Sequence, residues 1–164
     1  MNTLKRLHKE QDEISRNPPD SDLQLESHGD NLMKWFALIR GPKDSAYDGY
    51  LFKLSIDVSD RYPIVPPKIT FLTKIFHPNI LYATGEICLD VLKHDWTPAW
   101  SLTSALRAIA AILSEPNADS PLNCDAGNMI RSGDMVAFRS MARMYAVEFA
   151  EEIPAAVLDG EARK

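Results

Sequence analysis

Residues 50–58, Tyr-Leu-Phe-Lys-Leu-Ser-Ile-Asp-Val, carry the clearest periodic pattern in the chain. Apolar side chains stand at every second position of this stretch, and Lys53, Ser55 and Asp57 lie between the last four. Such alternation is typical of a β-strand that turns one face to a core and the other to solvent. The stretch therefore predicts a sheet with one buried face.

The segments on either side extend the strand pattern over residues 22–72. Turn signals at 28–31 and 41–44 separate the apolar runs before the central strand, and a proline-rich stretch at 62–67 precedes another run at 68–72. Short turns between consecutive strands favour antiparallel pairing. We therefore expect a four-stranded antiparallel meander.

Helical periodicity flanks this sheet on both sides. Residues 4–15 predict an N-terminal helix, and Ser101 can cap a second helix that runs to about Leu113. Residues 124–131 predict a short third helix, and 132–134 can start a fourth with a buried stripe ending at Phe149. The fold class is thus predicted as α+β, with one core domain over 1–152 and a short tail over 153–164.

Composition excludes several classes of protein. The chain has 164 residues, a formal net charge of -5 and two cysteines. An acidic chain is a poor general ligand for nucleic acid, and two cysteines suffice neither for a disulfide scaffold nor for a four-cysteine zinc site. We find no signal peptide and no apolar run of membrane-spanning length, so we expect a cytoplasmic protein without direct membrane insertion.

Residues 73–100 have no clear period, and a long irregular segment inside a compact domain is usually functional. Cys88 lies in this segment between Ile87 and Leu89. It is either a small buried core residue or a nucleophile. A cysteine hydrolase would need a base beside the thiol, for which His77 and His94 are the candidates. Asn79 is either a turn residue or a donor to an oxyanion.

Four motifs follow one another in this part of the chain. They are His77-Pro78-Asn79, then residues 85–90 (Gly-Glu-Ile-Cys-Leu-Asp), 96–99 (Trp-Thr-Pro-Ala) and 116–122 (Pro-Asn-Ala-Asp-Ser-Pro-Leu). In order and spacing they resemble the ubiquitin-conjugating enzymes. Residues 4–10 resemble the first helix of that family, so the resemblance covers about residues 1–150. It implies the ubiquitin-conjugating (UBC) fold and an enzyme that transfers ubiquitin.

The resemblance implies a role for each motif. Cys88 takes ubiquitin from the activating enzyme as a thioester, and Asn79, or the loop it organises, stabilises the oxyanion when an acceptor attacks. Many members have an Asp facing the acceptor where this chain has Ser120, and Asp119 stands one residue earlier. The residues implied to support this site are His77, Pro78 and Leu122.

The resemblance also implies the partners. These are ubiquitin, the ubiquitin-activating enzyme and a RING-type ligase, with no bound cofactor and no metal, since ATP is used upstream by the activating enzyme. The spacing from Cys88 to Trp96 lacks the insertion found in enzymes for one ubiquitin-like modifier, so ubiquitin itself is expected. The residues implied to bind the ligase or the activating enzyme are Lys5, Arg6, Lys9, Pro63, Ile64, Pro98 and Ala99.

Residues 119–135 resemble the peroxisomal members of the family. This implies ubiquitination of the peroxisomal import receptor for its recycling, and recruitment by a membrane anchor protein to the cytosolic face of the peroxisome. The alternatives are a general cytosolic ubiquitin-conjugating enzyme, a non-catalytic ubiquitin-binding variant of the fold and a cysteine hydrolase.

Overall fold

The computed structural model describes residues 2–155 and residue 157. The elements, in chain order, are α1 (Thr3–Arg16), β1 (Leu23–His28), β2 (Asn31–Arg40), β3 (Tyr50–Asp57), β4 (Lys68–Phe71), a 3-10 turn (Asp90–Leu92), α2 (Leu102–Ser114), α3 (Cys124–Arg131), α4 (Met135–Phe149) and β5 (Glu151–Glu152). The α+β class and the order of helices and strands are therefore as predicted.

The first four strands form an antiparallel sheet in the order β1-β2-β3-β4, which confirms the meander. The two-residue strand β5 was not predicted. β4 pairs with the second half of β3, from Leu54 to Asp57, and leaves the start of that edge open. β5 fills the gap by pairing with Tyr50 and Leu51.

One face of the sheet is buried against α2. Phe52, Leu54 and Ile56 of β3 are all fully buried, as the alternation predicts. Leu106 and Ile109 of α2 belong to the same apolar cluster. The burial of such side chains is the main favourable term in the free energy of folding.

The helix ends have the predicted capping chemistry. Ser101 accepts a hydrogen bond from the N–H of Ser104, and the Ser104 hydroxyl accepts one from the N–H of Ser101, which is a reciprocal capping box. Asp134 caps α4 with a single bond, accepting from the N–H of Ala137 at 3.0 Å. The predicted buried stripe of α4 is wrong at Phe149, whose ring is 37% exposed at the last residue of the helix.

The chain remains attached to the sheet beyond the predicted domain end. Ile153 is buried, and its N–H donates to the carbonyl of Gly49 at 2.9 Å. Residue 156 and residues 158–164 of the predicted tail lie outside the described residues, so the boundary at 152 stays a prediction. Within the described ranges, no helix is both long and apolar enough to cross a bilayer.

The loop before Cys88 lies directly against β4 because of Gly85. The N–H of Phe71 donates to the carbonyl of Gly85 at 2.9 Å. Gly85 has a φ of 74°, and a Cβ added there would lie 1.9 Å from the carbonyl oxygen of Phe71. Only glycine allows both this conformation and this approach.

Replacing Gly85 with alanine should therefore destabilise the fold more than the same change at Gly29. Gly29 has a comparable φ of 58°, but a Cβ added there would have no atom within 4 Å. Both variants strain the backbone, and Gly85→Ala adds an overpacking cost of about 1–3 kcal/mol. Urea unfolding of the two variants measures this difference, and equal losses would show that the contact with Phe71 is unimportant.

Candidate active site

Cys88 is presented at the surface by its buried neighbour. Ile87 forms an isolated antiparallel bridge with Ile80, and both side chains are buried. The N–H of Cys88 donates to the carbonyl of Asn79 at 2.8 Å. The Cys88 side chain is only half-buried. Cys88 is therefore a partly exposed residue on a fixed backbone, and the interpretation of it as a fully buried core residue is wrong.

The side chain of Asn79 joins two loops that lie far apart in the sequence. It is 5% exposed. Its Oδ1 accepts from the N–H of Asn117 at 2.9 Å, and its Nδ2 donates to the carbonyl of Asn117 at 2.7 Å. This geometry is that of a residue that organises the loop. Direct donation from Asn79 to an oxyanion stays a prediction.

The ring of His77 holds the same loop through two hydrogen bonds. Its Nδ1 accepts from the N–H of Asn79 at 3.0 Å, so its Nε2 carries the proton and donates to the carbonyl of Ile112 at 2.7 Å. Burial lowers the pKa of His77 to about 4, which keeps the ring neutral near pH 7. Because both nitrogens are engaged, His77 has no lone pair free to take a proton from Cys88.

His94, the other candidate base, is exposed and faces two carboxylates. Its Nε2 lies 3.8 Å from Asp90 and 3.6 Å from Asp95. These three side chains could offer ligands to a cation, although all are exposed. In the part of the chain that the structure describes, no hydrogen bond joins the Cys88 thiol to either histidine. The arrangement lacks the base that a cysteine hydrolase needs.

The predicted acceptor-facing residues lie on an exposed arch whose two ends are fixed. One end is held by the Asn79–Asn117 pair. At the other end, the N–H of Leu122 donates to the carbonyl of Pro78 at 2.8 Å. Asp119 and Ser120 lie between these ends and are exposed. Ser120 adopts a left-handed conformation with a φ of 53°.

The seven predicted binding residues do not form one uniform surface. Ile64 is 74% exposed. Pro63 is buried, and its carbonyl accepts from the indole N–H of Trp96 at 2.9 Å. Arg6 is turned inward, with its side chain 16% exposed and paired with Glu10. The residues of the set that are exposed as expected, besides Ile64, are Lys5, Lys9, Pro98 and Ala99.

Glu10 on α1 was not among the predicted site residues. It is only 5% exposed. Its four-residue spacing from Arg6 is typical of an ion pair on a helix and could have indicated a link between the two. The spacing does not reveal that this pair faces inward, because the first helix reads as charged on most of its surface.

The low pKa of His77 predicts a loss of stability in mild acid. The unfolded ring has a pKa of about 6.5, so the unfolded state binds a proton first, and the free energy of unfolding falls as the pH drops from about 6.5 towards about 4. This group should contribute a loss of about 2 kcal/mol between about pH 7 and pH 5. Urea unfolding at both pH values measures it.

Two glutamine variants separate this contribution from that of the carboxylates. His77→Gln can keep one donor and one acceptor but removes the titrating ring, so its stability should fall by about 2 kcal/mol less over the same interval. His8→Gln, at an exposed ring on α1, is the control and should lose as much stability over this interval as the wild type. An unchanged pH dependence in His77→Gln would contradict the assignment.

Comparison with known proteins agrees with this geometry. The family model described as "Ubiquitin-conjugating enzyme" matches residues 6–146. Protein PEROXIN-4 of Arabidopsis thaliana is 53% identical over 141 residues, which cover 85% of this chain and 90% of that protein. Ubiquitin-conjugating enzyme E2 pex4 of Dictyostelium discoideum is 56% identical over 115 residues, which cover 70% and 77% of the two chains.

Solved structures show the same fold. The ubiquitin-conjugating enzyme Pex4p of H. polymorpha, solved in complex with the soluble domain of Pex22p, is similar with a TM-score of 0.85 and 35% identity, over 92% of this chain and 100% of that one. An E2 domain from Toxoplasma gondii is similar with a TM-score of 0.81 and 35% identity, over 90% and 99% of the two chains. The chain therefore belongs to the ubiquitin-conjugating enzyme family.

Proposed function

We propose that Cys88 carries ubiquitin as a thioester. The observation that supports this most directly is a partly exposed cysteine on a backbone fixed by Asn79, with no histidine bonded to it among the residues that the structure describes. In the charging step, Sγ of Cys88 attacks the thioester carbonyl on the activating enzyme, a new C–S bond forms and the activating enzyme's thiolate leaves. In the transfer step, an acceptor attacks the Cys88 thioester and the thiolate of Cys88 leaves.

Within the described part of the chain neither His77 nor His94 is hydrogen-bonded to Cys88, and this fits the cycle. A thioester is already activated, because a thiolate is a far better leaving group than an alkoxide or an amide, so the site need not force the departure of a poor leaving group. A neighbouring imidazole would also assist water in hydrolysing the thioester. A carrier benefits from a site that holds the thioester until the acceptor arrives.

Charging by the ubiquitin-activating enzyme with ATP and ubiquitin tests the role of Cys88. The wild type should give an adduct on a non-reducing gel that disappears with a thiol reductant. Cys88→Ala should give no adduct, and Cys88→Ser should give one that survives the reductant, because an oxygen ester does not exchange with thiols.

Cys124→Ala is the matched control. Cys124 is the other cysteine in the chain and is exposed at the start of α3. This variant should form the adduct as the wild type does. A reductant-sensitive adduct in Cys88→Ala, or none with the wild type beside a charged positive control, would disprove the proposal.

We propose further that the enzyme serves the peroxisome. The support is the similarity to proteins named PEROXIN-4 and pex4, and to Pex4p solved with the soluble domain of Pex22p. On this proposal, a Pex22p-like protein anchors the enzyme at the cytosolic face of the peroxisomal membrane. A RING-type ligase then directs ubiquitin to the import receptor for its recycling. A general cytosolic role is the alternative.

Ser120 favours a thiol as the acceptor. An aspartate on the arch could orient a lysine amine and favour its neutral form, whereas a serine hydroxyl supplies no charge. A cysteine thiol, with a pKa of about 8.5, is ionised about a hundredfold more readily than a lysine with a pKa of about 10.4 loses its proton. A thiol acceptor therefore needs less help from the protein.

Ser120→Asp should raise the rate at which free lysine discharges the charged enzyme. Aspartate tolerates the left-handed conformation of position 120, so the arch should be preserved. We expect the rate of discharge to rise about tenfold with lysine and to change little with free cysteine. A tenfold rise is a modest part of what a positioned acid–base group contributes.

Asp119→Asn shows whether the carboxylate of Asp119 already orients the lysine amine. If it does, this substitution should slow discharge by lysine. Gel densitometry over time gives both rates. If Ser120→Asp leaves the rates with lysine and cysteine unchanged, Ser120 does not select the acceptor.

A further inference from the structure

A buried carboxylate connects three separate segments of the chain. Oε1 of Glu10, on α1, accepts from Nε of Arg6 at 2.6 Å and from the hydroxyl of Tyr62 at 2.5 Å. Oε2 of Glu10 accepts from the N–H of Leu102, the first residue of α2, at 2.8 Å. Burial, and then the bond to Glu10, raise the pKa of Tyr62 far above its usual value, so its hydroxyl remains a donor.

The other end of Arg6 holds the loop before α2. Its NH1 donates to the carbonyl of Pro98 at 2.9 Å, and its NH2 donates to the carbonyl of Trp100 at 2.7 Å. The guanidinium also lies 5.6 Å from the centre of the Tyr62 ring. A planar guanidinium can make all these bonds at once, and a lysine ammonium cannot match that geometry.

Arg6 bonds to backbone carbonyls of this loop, so the side chains between them remain free to contact a partner. Ala99 lies between the two carbonyls that Arg6 binds, and it is exposed. Ile64 follows Tyr62 and Pro63 and is also exposed. Trp96 joins the two loops directly through the carbonyl of Pro63. The distance between Ile64 and Ala99 therefore depends on the hydrogen bonds that Arg6, Trp96 and Glu10 make to the backbone and side chains of the two loops.

The charges add little to overall stability, because the cost of burying an ion pair offsets most of its attraction. A buried, fully bonded network instead specifies one arrangement of the parts it joins. We propose that Glu10 is a positioning residue that, through Arg6 and Tyr62, sets the spacing of the two loops that face the ligase. This inference rests on the proposed function with a RING-type ligase, and it takes Ile64, Pro98 and Ala99 from the set of residues that the family resemblance implies for binding.

Glu10→Gln tests the proposal with a minimal change of shape. Nε of Arg6 and the backbone nitrogen of Leu102 are both N–H donors. Whichever way the glutamine amide turns, its NH2 group therefore faces a donor and one bond is lost. The amides of Trp100 and Leu102 should then exchange with deuterium about tenfold faster, as expected for the loss of one hydrogen bond.

Glu13→Gln is the matched control on the same helix. Glu13 lies 3.9 Å from Lys9 in an exposed pair one turn further along α1, and pairs of this kind contribute little. Its exchange rates at Trp100 and Leu102 should equal those of the wild type. Tyr62→Phe removes a single donor to Glu10 and provides a milder second variant if Glu10→Gln folds poorly.

The second readout is the ratio of RING-stimulated to unstimulated discharge of the charged enzyme. The probe is the RING domain, from a panel, that stimulates the wild type most. The ratio should fall about threefold or more in Glu10→Gln, since misplacing groups that must dock together weakens association, and should remain unchanged in Glu13→Gln. A ratio that falls in Tyr62→Phe as well would support the role of the network.

Unchanged exchange at Trp100 and Leu102 would overturn the positioning role. Faster exchange with an unchanged ratio would also overturn it, because the spacing of the loops would then not matter to the ligase. Failure of every RING domain to stimulate the wild type is a different result. It would count against the proposed partnership with a RING-type ligase, while the exchange rates would still decide whether Glu10 positions the loops.

Discussion

The site around Cys88 depends on the two hydrogen bonds between the side-chain amide of Asn79 and the backbone of Asn117. They join the loop that carries the thiol to the arch that carries Ser120. The main chain of Asn79 completes the link, because its carbonyl accepts from the N–H of Cys88. Leaving such groups unpaired would cost about 1–3 kcal/mol each, so nucleophile and arch are held in one arrangement.

His77 holds the loop that carries Asn79 and does not act as a base. His77 has the right residue type for a general base, but its two nitrogens serve Asn79 and Ile112. Burial lowers the pKa of His77 to about 4, so the ring is uncharged near pH 7. The site is therefore suited to receive and release an acyl group that arrives already activated.

The first helix has two chemically different faces. Lys5 and Lys9 face solvent and are available to an acidic partner. Arg6 and Glu10 face inward and bond to the loops before β4 and α2. A basic segment that looks uniform in the sequence is thus divided into a contact surface and an internal support, and a mutation of Arg6 should not be interpreted as one of Lys5 or Lys9.

The local patterns of the chain sufficed for most of the fold. Alternation predicted β3, capping residues predicted α2 and α4, and α3 has the predicted bounds, because each pattern depends on residues a few positions apart. The motifs around Cys88 predicted which residues lie together around Asn79, and the role of Cys88 as the nucleophile stays a proposal. Local patterns could not predict three features: strand β5, the burial of Pro63 and Arg6, and the Asn79–Asn117 hydrogen bonds. They arise between residues far apart in the chain, where hydrogen-bond partners and solvent exposure exist only once the loops have packed together.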